Sequence, residues 1–292
     1  MSGSRTSPAS TARLFLWTAA AMMAFAGNSI LCRMALATTA IDPASFTLIR
    51  IVSGAVVLYL LVSWRRGIAS VGGNWTSALA LFAYAAGFSY AYLSLPAGTG
   101  ALLLFGAVQA SMIGYGLIRG ERLGAWQILG MVMAVMGLVG LLLPGLQAPP
   151  LSGSMMMVGA GVAWGIYSLR GRRASSPTVE TTGNFVRAVP MALILGAYGI
   201  SHAEIDFPGV VYAVGSGAVA SGLGYVVWYS VLPRLASTMA ATVQLSVPAI
   251  AAIAGVILLH EPITARLLGA SAAILGGIAV FILCRPEHVR GS

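Results

Sequence analysis

The stretch Gly87-Phe-Ser-Tyr-Ala-Tyr92-Leu-Ser-Leu95-Pro96 returns as Gly224-Tyr-Val-Val-Trp-Tyr229-Ser-Val-Leu232-Pro233, with Gly, Tyr, Leu and Pro in register (233 − 96 = 137). Arg33 and Arg170, and Arg50 and Arg187, stand at the same offset. Further on the register drifts, to 140 between Glu121 and Glu261 and 139 between Gly130 and Gly269, as unequal loops would make it. A chain that repeats over half its length is two copies of one structural unit. If each copy holds an odd number of membrane spans, the second sits upside down relative to the first, an arrangement found mainly in transporters.

Composition supplies the membrane. The chain is 58% hydrophobic and 8% charged, with a mean hydropathy of +0.90, and no water-soluble surface can be built from it. Ten apolar stretches approach the ~20 residues needed to span hydrocarbon, near residues 13–37, 43–64, 75–95, 97–118, 124–143, 152–169, 179–201, 208–232, 236–259 and 263–284. They are continuously apolar rather than alternating, which predicts helices and not barrel strands. Gly numbers 36, well above the usual ~7%, and most of it lies inside the spans, where small residues let helices approach. Gly130, Gly137 and Gly140 in the fifth span and Gly269, Gly276 and Gly277 in the tenth are the candidates for backbone contact.

The expected fold is therefore an all-α membrane protein of ten transmembrane helices, arranged as two inverted five-helix repeats. The first repeat takes residues 13–143 and the second 152–284; the Pro-rich stretch at 144–151 links them, and residues 1–12 and 285–292 form tails. All 16 basic residues are Arg. Twelve of them, Arg5, Arg13, Arg65, Arg66, Arg119, Arg122, Arg170, Arg172, Arg173, Arg234, Arg285 and Arg290, fall on one side of this arrangement, which the positive-inside rule makes cytoplasmic, with both termini there. The net charge of +9 thus reports topology and contact with anionic headgroups of the lipid bilayer, and no nucleic-acid module is visible. Ala24-Phe25-Ala26 has the form of a signal-peptide cleavage site, yet apolar sequence runs on through Leu36 and Arg33 belongs to the repeat, so the segment reads as the first span. Cys32 and Cys284 imply no disulfide framework.

Each half carries a Tyr and Leu-Pro at the end of its third span, a Gly120-Glu-Arg-Leu123 or His260-Glu-Pro-Ile263 turn, and a Gly-rich fifth span. This pattern resembles the EamA domain of the drug/metabolite transporter superfamily, two copies covering the membrane region. Asn28-Ser-Ile-Leu-Cys-Arg33-Met-Ala-Leu and Ser45-Phe-Thr-Leu-Ile-Arg50 are similar, more narrowly, to the YddG-like aromatic amino-acid exporters. The first resemblance implies a ten-helix basket around a substrate cavity in a bacterial inner membrane. The second implies export of aromatic and other neutral amino acids.

Polar and aromatic groups at mid-span need a reason, because an amide in hydrocarbon must be hydrogen-bonded or face water. Asn28, Tyr84, Gln109, Trp164, Tyr167 and Gln244 are the residues expected to line one central cavity. The amides would meet the ammonium and carboxylate of a zwitterionic amino acid, and the rings would receive its side chain. Aromatic stripes Tyr84, Phe88, Tyr92 and Tyr225, Trp228, Tyr229 correspond under the repeat, with Tyr92 and Tyr229 read as an interfacial belt. Arg33 and Arg50, off-centre in their spans, are expected to snorkel or pair structurally rather than bind substrate, although a substrate carboxylate could use one of them, and Glu121 and Glu261 to tie turns to Arg122 and Arg266.

None of the seven carboxylates, Asp42, Glu121, Glu180, Glu204, Asp206, Glu261 and Glu287, falls mid-span. The buried acid that proton-coupled or multidrug-cation antiport needs is missing, so facilitated exchange by alternating access is expected, with Pro96, Pro233 and Pro248 as hinges. A multidrug or other small-metabolite exporter of the same superfamily is the alternative. An intramembrane enzyme has no support: the histidines, His202, His260 and His288, lie at ends or tails, and no metal or nucleophile motif occurs. No cofactor is expected.

Overall fold

The computed structural model describes residues 8–66, 71–120, 122–145, 148–171, 176–235 and 237–284, and among these residues every regular element is helical. Ten helices follow one another. They are α1 Pro8–Thr38, α2 Pro43–Arg66, α3 Trp75–Tyr92, α4 Ala97–Ile118, α5 Ala125–Leu142, α6 Leu151–Gly171, α7 Pro177–Tyr198, α8 (Phe207–Val214, Gly215–Leu223 and Gly224–Val231 in sequence), α9 (Ser237–Gln244 and Ser246–Leu259) and α10 Ala265–Leu283. Seven of them, all but α3, α6 and α7, are long and apolar enough to cross a membrane. The three that fall short spend their polar residues on neighbours: Ser77, Tyr84 and Ser89 on α3, Ser154 and Tyr167 on α6, and Thr181, Thr182 and Asn184 on α7 are buried. The outer surface is apolar, with Trp64 and Ile118 each 87% and Tyr198 91% exposed, a surface that only lipid satisfies.

The helix α1 starts at Pro8, a residue suited to a first turn and inside the stretch 1–12 expected as a tail, of which residues 1–7 lie outside the described residues. The C-terminal tail at 285–292, Gln147 of the linker, and Glu121 lie outside the described residues.

Packing interleaves the two halves of the chain. The helix α2 lies against α7 and α8, α3 and α4 both lie against α6, α1 lies against α8 and α9, α4 against α9, and α5 against α10. Two helices are irregular, and both irregularities have causes in sequence. In α8 the run Gly215–Leu223 is π-helical, a wide turn that glycine tolerates. A Cβ on Gly217 would overlap the Arg50 carbonyl and the Ser53 hydroxyl, so α2 and α8 touch backbone to backbone there. In α9 the helix breaks at Leu245 because Pro248 has no N–H for the Gln244 carbonyl and its ring crowds that oxygen. Gln244 consequently ends the first half of α9 at the centre of the bundle.

Both ends of the bundle are latched. At one end Asp42 caps α2 through the Ala44 and Ser45 amides, while its own N–H and side chain bond the Glu204 backbone at 3.0 and 3.1 Å. At the same end Arg33 reaches Glu261 at 2.9 Å and the Tyr92 and Leu93 carbonyls at 2.8 and 3.2 Å. At the other end Arg170 donates to Ser77 (2.9 Å) and Asn74 (3.1 Å), and Arg187 to the Gly72 carbonyl (2.6 Å).

Candidate functional site

Between the latches lies a cavity walled by six helices: Phe25, Asn28 and Ser29 from α1, Tyr84 and Phe88 from α3, Leu104 and Phe105 from α4, Trp164 from α6, Ala220, Ser221 and Tyr225 from α8, and Gln244 from α9. Trp164 is its aromatic hub, with ring centroids 4.8 Å from Tyr84, 5.2 Å from Tyr225 and 5.3 Å from Tyr167. Each such pair contributes about 0.5–1.5 kcal/mol beyond burial, so the wall is rigid on one side.

A polar chain meets this wall at Tyr84. Ser216 donates to the Asn28 side-chain oxygen at 2.6 Å, the Asn28 amide nitrogen donates to the Tyr84 hydroxyl at 3.0 Å, and Arg50 donates through Nη2 to the same hydroxyl at 3.0 Å. The Arg50 guanidinium lies over the rings of Tyr84 and Phe88, 5.2 and 4.8 Å from their centroids, and the residue is 2% exposed. Gln244 donates its side-chain nitrogen to the Ala240 carbonyl (3.2 Å), leaving its oxygen as an acceptor. The cavity volume is about 20 Å³, taken as the space open to the centre of a water-sized sphere. That admits one or two waters, at ~10–15 Å³ each; a larger molecule needs the walls to part. Among the described residues no group of three or more His, Cys, Asp or Glu is arranged to hold a metal ion.

A profile of the EamA-like transporter family matches residues 151–283. The "Uncharacterized protein PA1977" of Pseudomonas aeruginosa is 53% identical over 94% of this chain and 96% of its own length. The chain belongs to the EamA-like transporter family. The "Threonine/homoserine exporter RhtA" of Escherichia coli K12 is 30% identical over 53% of the chain, which thereby spans 55% of that exporter's length. A "Probable amino-acid metabolite efflux pump" of Salmonella typhimurium is 24% identical over 68% of this chain and 72% of its own. A solved crystal structure superposes with a TM-score of 0.65 at 20% identity, covering 94% of this chain and 99% of that one, which is a likeness of fold.

In this EamA-like transporter, a multi-pass membrane protein, Asn28, Tyr84, Trp164 and Gln244 meet at the one cavity. Tyr167 does not line it. Its ring stacks on Trp164, while its hydroxyl donates to Thr181 (3.3 Å) in a second, polar pocket of about 10 Å³ shared with Ser77, Arg170 and Glu180. Gln109 is buried on α4 but outside the lining, because it lies four residues, or ~6 Å of helix, beyond Phe105. Of the hinge candidates, Pro96 starts α4, Pro233 sits in the turn that ends α8, and Pro248 follows the break in α9.

Three expectations are corrected in the EamA-like fold. Arg50 does not snorkel and, among the described residues, forms no ion pair; it is enclosed beside the cavity, with its charge behind Tyr84. Tyr92 is wholly buried under the Arg33 latch, where its hydroxyl meets the Ala97 carbonyl at 3.3 Å, and is no belt residue. Glu261 pairs with Arg33, while Arg266 bonds the terminal carbonyls of α5 at Leu141 and Leu143, which have no intrahelical partner. Ser216 escaped notice in the sequence; its signal was a serine inside a glycine run at mid-span.

Proposed function

We propose that the protein exports neutral amino acids, aromatic ones included, across a bacterial inner membrane by alternating access, its ten helices forming two inverted five-helix repeats. The observation that carries this reading is a cavity at the meeting point of six helices that combines hydrogen-bond donors, a free amide oxygen and an aromatic wall. The exporters among its relatives favour the same substrate class. The inverted repeat is supported by the pairing of α2 with α7, α4 with α9 and α5 with α10, each a helix and its counterpart five places on. The contacts of α1 with α8 and α9 likewise mirror those of α6 with α3 and α4. With both ends latched and space only for water, the described conformation matches an occluded step of such a cycle.

Counterflow into proteoliposomes with a panel of amino acids, sugars, nucleosides and quaternary cations tests the function. Amino acids should exchange, and an imposed pH gradient should not drive them beyond equilibrium; a preference for quaternary cations would overturn the reading in favour of multidrug export. Within that panel Trp164→Ala should weaken phenylalanine about tenfold, in line with the loss of ~1 kcal/mol of stacking plus contact area, and leave threonine nearly unchanged. Equal losses for both would remove Trp164 from the side-chain subsite.

The arginine distribution supports a cytoplasmic position for both termini. In a Cys32→Ala, Cys284→Ser background, Ala203→Cys should react with an impermeant maleimide in intact cells, and Arg119→Cys only after permeabilisation. The opposite pattern would invert the topology.

A further inference from the structure

The repeat places Arg50 and Arg187 at equivalent positions, yet the two are held in different ways. Arg187 is tied off by backbone: its Nη1 donates to the Gly72 carbonyl at 2.6 Å and the Gly183 carbonyl at 3.0 Å. Arg50 has no such arrangement. Its Nη2 meets the Tyr84 hydroxyl, its face lies on two rings, and its Nη1 is buried with no hydrogen-bond partner. The ion pair among the described residues is that of Arg33 with Glu261, so Arg50 is a buried cation without a counter-charge. Such a group is strongly destabilising unless an anion joins it.

The neighbouring donors point the same way. The Tyr84 hydroxyl oxygen accepts from both Arg50 and Asn28, which fills its two lone pairs and leaves its proton for a third group. The Ser221 hydroxyl, on the cavity wall, is also buried and unpartnered. Two unspent donors, the Tyr84 and Ser221 hydroxyls, stand on the cavity wall, and a third, the charged Nη1 of Arg50, is buried directly behind Tyr84.

We propose that Arg50 is the carboxylate anchor of the cavity: a substrate carboxylate docks between Nη1 of Arg50 and the hydroxyls of Tyr84 and Ser221, and the site rejects otherwise similar molecules that lack this group. The inference rests on the amino-acid reading given above and deepens it. With Nη2 held by the Tyr84 hydroxyl and its face on two rings, the guanidinium presents Nη1 as a fixed charged donor, which an ammonium on a flexible stem does not copy. The Gln244 side-chain oxygen and the aromatic wall then remain for the ammonium and side chain.

The test uses three probes on the purified full chain: L-phenylalanine, L-phenylalaninamide, which lacks the carboxylate, and 3-phenyllactate, which lacks the ammonium. Binding is read by quenching of tryptophan fluorescence and transport by counterflow. Wild type should bind phenylalanine at least 50-fold more tightly than the amide, with phenyllactate losing less than the amide does. Arg50→Lys should lower phenylalanine affinity about tenfold and keep the order, whereas Arg50→Met should bring phenylalanine and the amide within threefold of each other. Equal handling of phenylalanine and its amide by wild type overturns the anchor while leaving the amino-acid reading intact, and it decides the matter even if a variant fails to fold. Retained preference in a folded Arg50→Met also overturns it. Failure of wild type to take any amino acid removes the functional reading and this inference together.

Discussion

Replacing Glu261 by Gln should raise the alkylation rate of Cys32 about 100-fold. Glu261 follows His260, whose left-handed backbone (φ 53°) turns the chain at the end of α9, with the Glu261 N–H returning to the Gly255 carbonyl at 3.2 Å. The turn aims the carboxylate inward. One oxygen pairs with Arg33 on α1 and the other accepts the Ala97 N–H at 2.7 Å, capping α4, whose own N-cap residue, Pro96, has no side-chain donor or acceptor. A single side chain therefore joins α1, the α3–α4 junction and the α9–α10 turn. Gln keeps one oxygen as the acceptor for Ala97 but loses the charge and turns an NH2 donor toward the Arg33 Nε, leaving Arg33 half-buried with two carbonyls. Separating such a pair costs about 3 kcal/mol, and each 1.4 kcal/mol is about tenfold in an equilibrium. Cys32, adjacent to Arg33 and 0% exposed, reports the opening directly once Cys284 is replaced by Ser. An unchanged Cys32 rate in a variant that still elutes as a folded species would show that the ion pair does not hold this end shut.

What the sequence made legible follows from which signals are local. Helix bounds were readable where proline punctuates the chain, as at Pro43, which opens the second span, and Pro96, which separates the third from the fourth, because proline starts helices and cannot continue them. Asn28, Tyr84, Trp164 and Gln244 were readable because a polar or ring-bearing residue at mid-span must face something other than lipid. Arg50 was misread because its place along α2 does not fix the depth of its guanidinium. A guanidinium on a long stem sits wherever its neighbours' side chains allow, and Tyr84 and Phe88, on another helix, draw it inward. The partner of Glu261 was equally out of reach: Arg266 is near in sequence, while Arg33, which it meets, is brought over by the fold. The close approach of α8 to α2 at Gly217 is likewise a pairing no single-helix pattern contains.

Glycine draws the same line, and it sets the second large effect: Gly277→Ala should lower the thermal unfolding midpoint by roughly 10 °C, while Gly276→Ala should leave it unchanged or slightly raised. Six glycines on α5 and α10 were candidates for backbone contact, and three make it. A Cβ on Gly277 would overlap the Gly130 carbonyl and lie 2.7 Å from the Ala134 nitrogen, and one on Gly130 would lie 2.8 Å from the Phe281 nitrogen. A Cβ on Gly137 would lie 2.8 Å from the Ala273 Cβ and 3.0 Å from the Ile274 nitrogen. The obstacles are largely backbone, which cannot rotate away, so α5 and α10 must separate at a cost of about 3 kcal/mol, or near 10 °C at ~2–4 °C per kcal/mol. Gly140, Gly269 and Gly276 have nothing within 4 Å of a built Cβ. There, alanine adds only its better helix propensity, up to ~1 kcal/mol. Because Gly276 and Gly277 are adjacent on one helix, hydropathy and propensity treat them alike, and only the face turned to α5 separates them. Light-scattering or fluorescence melts of the two detergent-purified variants, side by side, check this. Equal midpoints for Gly276→Ala and Gly277→Ala would mean that α5 and α10 do not meet along the Gly130–Gly277 contact.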